Sequence, residues 1–256
     1  MINLYRVPVD VYHLPTMHYG YRARIGYTSP PATTEVFPYE FYRMAPAGVT
    51  LVLTTLAIRQ MNKAEIDSSY QIALDAVDAM KEARVDVMVL GGMPINAAKG
   101  LNQVDSLAAE VHARLGVPVV TSIEAQIDAL RKLGARKVAV AHPFGPEQEA
   151  FFSECTAKFG FELMACEGMQ RRAIDLGLIR LEETAELVRR IKNAHPQADT
   201  LWLPCPHWAC LDVIDELESA LNINVVGACQ AIVWKALRTA GVEDHVPNAG
   251  RLFRDG

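Results

Sequence analysis

The chain has few cysteines, and their arrangement is uninformative as a scaffold: five, at 155, 166, 205, 210 and 229, odd in number and irregularly spaced. In 256 residues that argues against a framework of paired disulfides and for a reducing compartment. Excess positive charge is also missing. Lys and Arg number 25 against 30 Asp and Glu, a formal net charge of −5, so neither nucleic acid nor an anionic membrane is an expected partner. No apolar run approaches the ~18–20 residues of a membrane helix. The opening "MINLYRVPVDVYHLPTMHYGYR" lacks the basic-then-apolar order of a secretory signal, and the cytoplasm is the expected address. Glycine-rich phosphate loops are absent too. Gly91-Gly92 fits neither the dinucleotide fingerprint nor the P-loop, so it is not expected to hold a phosphate group.

What is present is an ordinary apolar content with a regular rhythm. Hydrophobic residues make up 50% of the chain, enough to build one large α/β domain or two lobes. Short β-rich runs occur at Ile25–Ser29, Val49–Leu56, Val85–Leu90, Val117–Thr121, Lys137–Ala141, Glu162–Cys166, Thr200–Leu203 and Asn224–Gly227. Between them lie stretches with apolar residues three and four apart, cleanest in "SYQIALDAVDAMKEARV" and "LEETAELVRRIKNAHP". Such alternation predicts parallel sheets covered by helices on both faces.

The sequence also repeats itself. "LGVPVVTSIEAQIDALRKLG" (115–134) echoes "LNINVVGACQAIVWKALRTAG" (221–241), and each copy follows a strand that runs into a tight loop. Matching Asp86 with Asp199 sets Gly92 opposite Cys205. The expectation is an α/β fold of two pseudo-symmetric lobes, each a parallel sheet flanked by helices, with the active site in the cleft between them. Strand-end loops of open α/β sheets are where ligands bind. The expected division is an N-terminal arm (1–23), a first lobe (24–122) and a second lobe (123–229), with 230–256 packing back on the first. The arm is expected to lie along a neighbouring subunit or over the cleft, and a homo-oligomer is left open.

Particular segments carry a resemblance. "RIGYTSPPATTEVFPYEFYRMAP", "VLGGMPINAAKG", "PCPHWACLD" and "WKALRTAGVEDHVPNAGRLF" are similar to the aspartate/glutamate racemase superfamily, in its branch of arylmalonate decarboxylases and maleate cis-trans isomerases. The similarity runs over about residues 24 to 256. It implies a cofactor-independent enzyme acting at the α-carbon of a small carboxylate. Racemases and isomerases of this superfamily set one cysteine from each lobe on opposite sides of the substrate. Gly92 with Cys205 matches the decarboxylase arrangement, which keeps only the second-lobe thiol. The resemblance therefore implies decarboxylation of a malonate-type acid, with Cys205 protonating an enediolate. Racemisation, cis-trans isomerisation, and carboxylate binding without catalysis stand as alternatives.

Cys205 follows an apolar strand and precedes the helical pattern "ACLDVIDELESAL". A thiol at a helix N-terminus gains thiolate character from the dipole, so a lowered pKa is expected. The donors that the family supplies for the carboxylate are largely replaced. Met93 and Pro94 stand in place of hydroxyl residues, Phe144 in place of a tyrosine, Ala32 where isomerases carry asparagine, and Pro206 offers no N–H. Pro31, Thr33 and Thr34 in the first-strand loop, Asn96, His142 and His207 are the candidates left to bind substrate. A cationic histidine would serve best. For each the plainer role is a cap or a satisfied backbone group. Gly92 gives room for close approach, and Met93 with Trp208 makes the pocket apolar. Cys205, His207 and Cys210 have metal-like spacing but no second pair to complete a tetrahedron, so no metal is expected. Cys155, Cys166, Cys210 and Cys229 read as packing residues.

Overall fold

The computed structural model describes residues 18–60 and 62–254. Two parallel four-stranded sheets account for all eight expected strands. The first lobe contains β1 (Ala23–Pro31), β2 (Val49–Ile58), β3 (Val87–Leu90) and β4 (Val119–Thr121), in the order β2-β1-β3-β4. The second contains β5 (Lys137–His142), β6 (Glu162–Gly168), β7 (Thr200–Leu203) and β8 (Asn224–Gly227), in the order β6-β5-β7-β8. The two orders are the same pattern used twice. The central strands β3 and β7 are buried along their whole length, as runs such as Val-Met-Val-Leu require when helices cover both faces.

Among the described residues ten α-helices surround the sheets: α1 (Val36–Met44), α2 (Lys63–Glu82), α3 (Met93–Asn96), α4 (Val104–Leu115) and α5 (Ser122–Lys132), then α6 (Glu149–Phe159), α7 (Leu181–Ala194), α8 (Leu211–Leu221), α9 (Ala228–Thr239) and α10 (Gly250–Arg254). α2 starts where Asn62 accepts the Glu65 amide, and α5 where Thr121 accepts that of Glu124, both ordinary side-chain N-caps.

A shared anchor supports the repeat read from the sequence. Asp86 accepts the Arg24 amide at 2.7 Å and returns its own N–H to the Arg24 carbonyl at 2.8 Å. Asp199 does the same with Lys137, at 2.9 Å in both directions. Each aspartate thereby ties the start of its lobe's third strand to the start of the first.

The lobes are joined by exchanging helices. α5 follows the first sheet but buries Ile123, Ile127 and Leu130 against Val138, Val140 and Trp202 of the second. α9 follows the second sheet but buries Ile232, Val233 and Ala236 against Tyr27, Val87 and Val89 of the first. The two helices also pack on each other. The C-terminal segment 230–256 divides accordingly: α9 lies on the first lobe, whereas Arg251 of α10 bonds Glu218 of α8 and Asn224 of β8. Of the arm assigned to 1–23, residues 1–17 lie outside the described residues, and Ala23 already opens β1.

Candidate active site

The ends of β1, β3, β5 and β7 meet across the cleft and line a narrow chamber of about 40 Å3. The first lobe contributes Pro30, Pro31, Ile58, Gly92, Met93 and Pro94; the second contributes Phe144, Gln148, Phe152, Ala173, Leu176, Pro204, Cys205, Pro206 and His207. The wall is almost wholly apolar. Its polar side chains are the Cys205 thiol, the His207 ring and the Gln148 amide. A wider, polar outer cleft shares Phe144, Gln148 and Ala173 with it and includes Thr33, Arg59, Gln170, Arg171 and Arg172.

On the first-lobe side the backbone comes close to the site. The Gly91 amide is held by Thr28 Oγ1 at 3.1 Å. Gly92 has φ of +82°, and a Cβ there would come 2.6 Å from Pro30 Cγ. The position is a glycine for two reasons, conformation and space. Met93 and Pro94 then open α3, with Met93 buried against the α5 and Phe152 side of the core.

On the second-lobe side β7 ends at Leu203, and the chain makes an irregular turn through Pro204, Cys205, Pro206, His207, Trp208 and Ala209. Trp208 fastens the turn to its own lobe, donating from Nε1 to Thr184 Oγ1 at 2.7 Å, while Thr184 Oγ1 donates to the Ala209 carbonyl at 3.3 Å. The backbone N–H groups of His207 and Trp208 approach the Cys205 thiol and act to lower its pKa, the Trp208 N–H donating to the Cys205 carbonyl at 3.4 Å. They do not make the thiol acidic. Burial pushes Cys205 up to about 12, and the amides offset only part of that. This corrects the expectation of thiolate character. α8 begins at Leu211, well past Cys205, and its first amides are already occupied by the Glu40 carboxylate.

The histidines are corrected in the same sense. His207 is 7% exposed and burial lowers its pKa to about 3; His142 is fully buried and is lowered to about 4. Both are neutral at pH 7, not cations. His207 Nδ1 lies 3.0 Å from Thr34 Oγ1, and Nε2 has no hydrogen-bond partner among the described residues. His142 does not line the chamber. It sits behind the wall, its ring 5.1 Å from that of Phe152, with neither nitrogen partnered among the described residues.

Eight of the residues singled out in the sequence line the chamber together: Cys205, Gly92, Met93, Pro94, Pro31, Phe144, Pro206 and His207. Thr34 touches it through His207, and Thr33 lines the outer cleft. Asn96 points elsewhere. It is buried in α3 and accepts the Ser122 amide at 3.0 Å, which makes it a link to α5. Gln148, Ile58 and Leu176 were not found from the sequence. The first lies at the mouth of α6 and the others in segments with no motif, so only the fold reveals them. Among the described residues no group of three or more His, Cys, Asp or Glu side chains could hold a metal ion, and no helix is long and apolar enough to cross a membrane.

Two like lobes, one thiol and a facing glycine define a protein of the aspartate/glutamate racemase-like fold. The sequence model of the family described as arylmalonate decarboxylase matches residues 25–253, and the chain belongs to that family. It is 25% identical over 231 residues to the arylmalonate decarboxylase of Bordetella bronchiseptica, covering 90% of this chain and 95% of that one. In structure it is similar to a glycine-to-cysteine, cysteine-to-serine variant of arylmalonate decarboxylase in liganded form, with TM-score 0.85, 23% identity, and coverage of 91% and 100%. It is also similar to a cysteine-to-serine variant of the Nocardia farcinica maleate cis-trans isomerase holding a covalently bound succinylcysteine intermediate. There the TM-score is 0.81 at 19% identity, covering 91% and 99%.

Proposed function

We propose that this protein is a decarboxylase of a malonate-type carboxylic acid in which Cys205 delivers the proton. The observation that carries the reading is a buried thiol and a glycine, one from each lobe, lining the same apolar chamber. Loss of CO2 turns a localised carboxylate charge into neutral gas and a delocalised enediolate, a change that an apolar site favours. The electron pair of the breaking C–C bond becomes that of the enediolate. Cys205 S–H then gives its proton to the α-carbon from one face, and the thiolate left behind regains a proton from water. Gly92 offers no acid or base on the opposite face, so protonation is one-sided.

The remaining carboxylate needs donors. His207 suits this role in the neutral tautomer whose Nδ1 accepts from Thr34 and whose proton sits on Nε2. The Gln148 amide is the other uncharged donor on the chamber wall. Met93, Pro94, Phe144 and Pro206 supply bulk and no side-chain donor.

The runner-up is cis-trans isomerisation or racemisation. It gains support from the family relationship but needs a nucleophilic thiolate or a second acid–base group, and the high thiol pKa weighs against the first. The test follows CO2 release from aryl, alkenyl and alkyl malonates by the purified protein. Release from none of them sinks the decarboxylase reading. Solvent deuterium entering a chiral acid without CO2 loss would replace it with a racemase.

A further inference from the structure

α1 carries a carboxylate where its pattern asks for a hydrophobe. Val36, Phe37, Phe41 and Met44 form its buried face, and Glu40 lies among them at 3% exposure. A carboxylate in such a place is costly unless polar groups satisfy it. Arg43, nearly one turn on, is not its partner and pairs instead with Asp212 at 2.5 Å. Glu40 Oε1 accepts the N–H groups of Cys210 and Leu211, both at 2.9 Å. These are the opening amides of α8, in the other lobe, where a helix N-terminus favours negative charge.

We propose that Glu40 is a positioning residue for Cys205, holding the far end of the 204–210 turn so that the thiol stays opposite Gly92. This deepens the decarboxylase reading and rests on Cys205 being the proton donor. The turn belongs to no sheet or long helix, so its shape depends on its anchors. Its own lobe provides one, Thr184 beneath Trp208. The first lobe provides two, Thr34 at His207 and Glu40 at Cys210 and Leu211. Both come from a single stretch of chain, the loop after β1 and the helix it enters. Immediately before that loop, the end of β1 brings Pro30 and Pro31 to the chamber wall. One segment thereby sets both the wall and the place of the thiol facing it. A cap from α8's own lobe would steady the helix equally well but would not fix it relative to Gly92.

The experiment compares Glu40→Gln, Glu40→Asp and Glu40→Ala in the full chain. Gln keeps an oxygen that accepts both amides; Asp is one methylene too short; Ala leaves the amides without the carboxylate. Peptide-mapped labelling of Cys205 by N-ethylmaleimide reads the position of the thiol without any substrate. For Ala and Asp, labelling is expected to rise about tenfold as the turn opens locally. With a malonate that turns over, kcat is expected to fall about 100-fold, with KM within about threefold, as a displaced catalytic group predicts. Gln should stay near wild type in both measurements. If Glu40→Ala does not fold, the contrast between Gln and Asp carries the test. A folded Ala or Asp variant with wild-type labelling and kcat overturns the positioning role, and so does a Gln variant as impaired as Asp. Labelling that responds to Glu40 in a protein that releases no CO2 supports the positioning role and removes only the decarboxylase reading.

Discussion

The two lobes are built on one plan and end differently. Each has the same strand order, and each has an aspartate tying its third strand to its first. Past the third strand they diverge. The first lobe turns through Gly91-Gly92 into the short helix α3, bringing bare backbone to the chamber. The second turns through Pro204-Cys205-Pro206-His207, bringing a thiol and an imidazole. A duplicated scaffold need not have a duplicated site. The strand fixes where the loop emerges, and the loop alone decides whether that point supplies space or chemistry.

The largest effect expected on this contrast comes from Cys205→Ala. It should lower turnover of a responsive malonate by about 10³-fold or more, the scale of a lost proton donor. Circular dichroism should show the fold retained. Activity surviving at wild-type level would mean that the second-lobe loop is not the chemical half. In the wild type, kcat should stay level from about pH 7 to pH 9, since burial keeps the thiol protonated there. A steep rise over that range would show thiolate to be the working form.

Gly92→Ala tests the other half. A side chain at φ of +82° with Pro30 2.6 Å away should cost about 1–3 kcal/mol. Urea unfolding measures this directly, and a neutral result would mean that the loop shifts without penalty.

The second-lobe histidines should make stability acid-sensitive. Unfolded, each takes up a proton near its ordinary 6.5; folded, His142 does so only near 4 and His207 only near 3. Between those values the unfolded state binds more protons, so stability falls as pH drops below about 6.5. Melting temperatures at about pH 7 and pH 5 should converge in His207→Gln and His142→Phe relative to wild type. An unchanged difference would show that the rings are not buried neutral.

The smallest effect concerns the shared anchor. Asp199 accepts Arg136 and Lys137 amides as well as the Thr200 hydroxyl, whereas Asp86 accepts the Arg24 amide at a more exposed site. Asp199→Ala should therefore exceed Asp86→Ala in cost by about 1 kcal/mol, measured by urea unfolding. Equal costs would make the two anchors equivalent in energy as well as in place.

Much of this was legible along the chain. Strand runs such as Val87–Leu90 are apolar because both faces are covered, and that signal is local. The pairing of Gly92 with Cys205 was legible because the repeat preserved spacing from the aspartates. Asn96 misled because a polar residue in a cleft loop looks like a ligand, yet its oxygen is spent on the Ser122 amide. Glu40 escaped notice because it sits in an aromatic stretch whose partner amides are 170 and 171 residues away.

By itself, then, the sequence determined the alternation of elements, the doubling of the lobe, and which loop bears a thiol. These follow from local periodicity and from spacing within the chain. The tertiary structure decided the protonation state of Cys205, the neutrality of His207, and what holds the turn. Each depends on how much water reaches a group and which distant amides face it, and only the closed packing of one lobe on the other sets those.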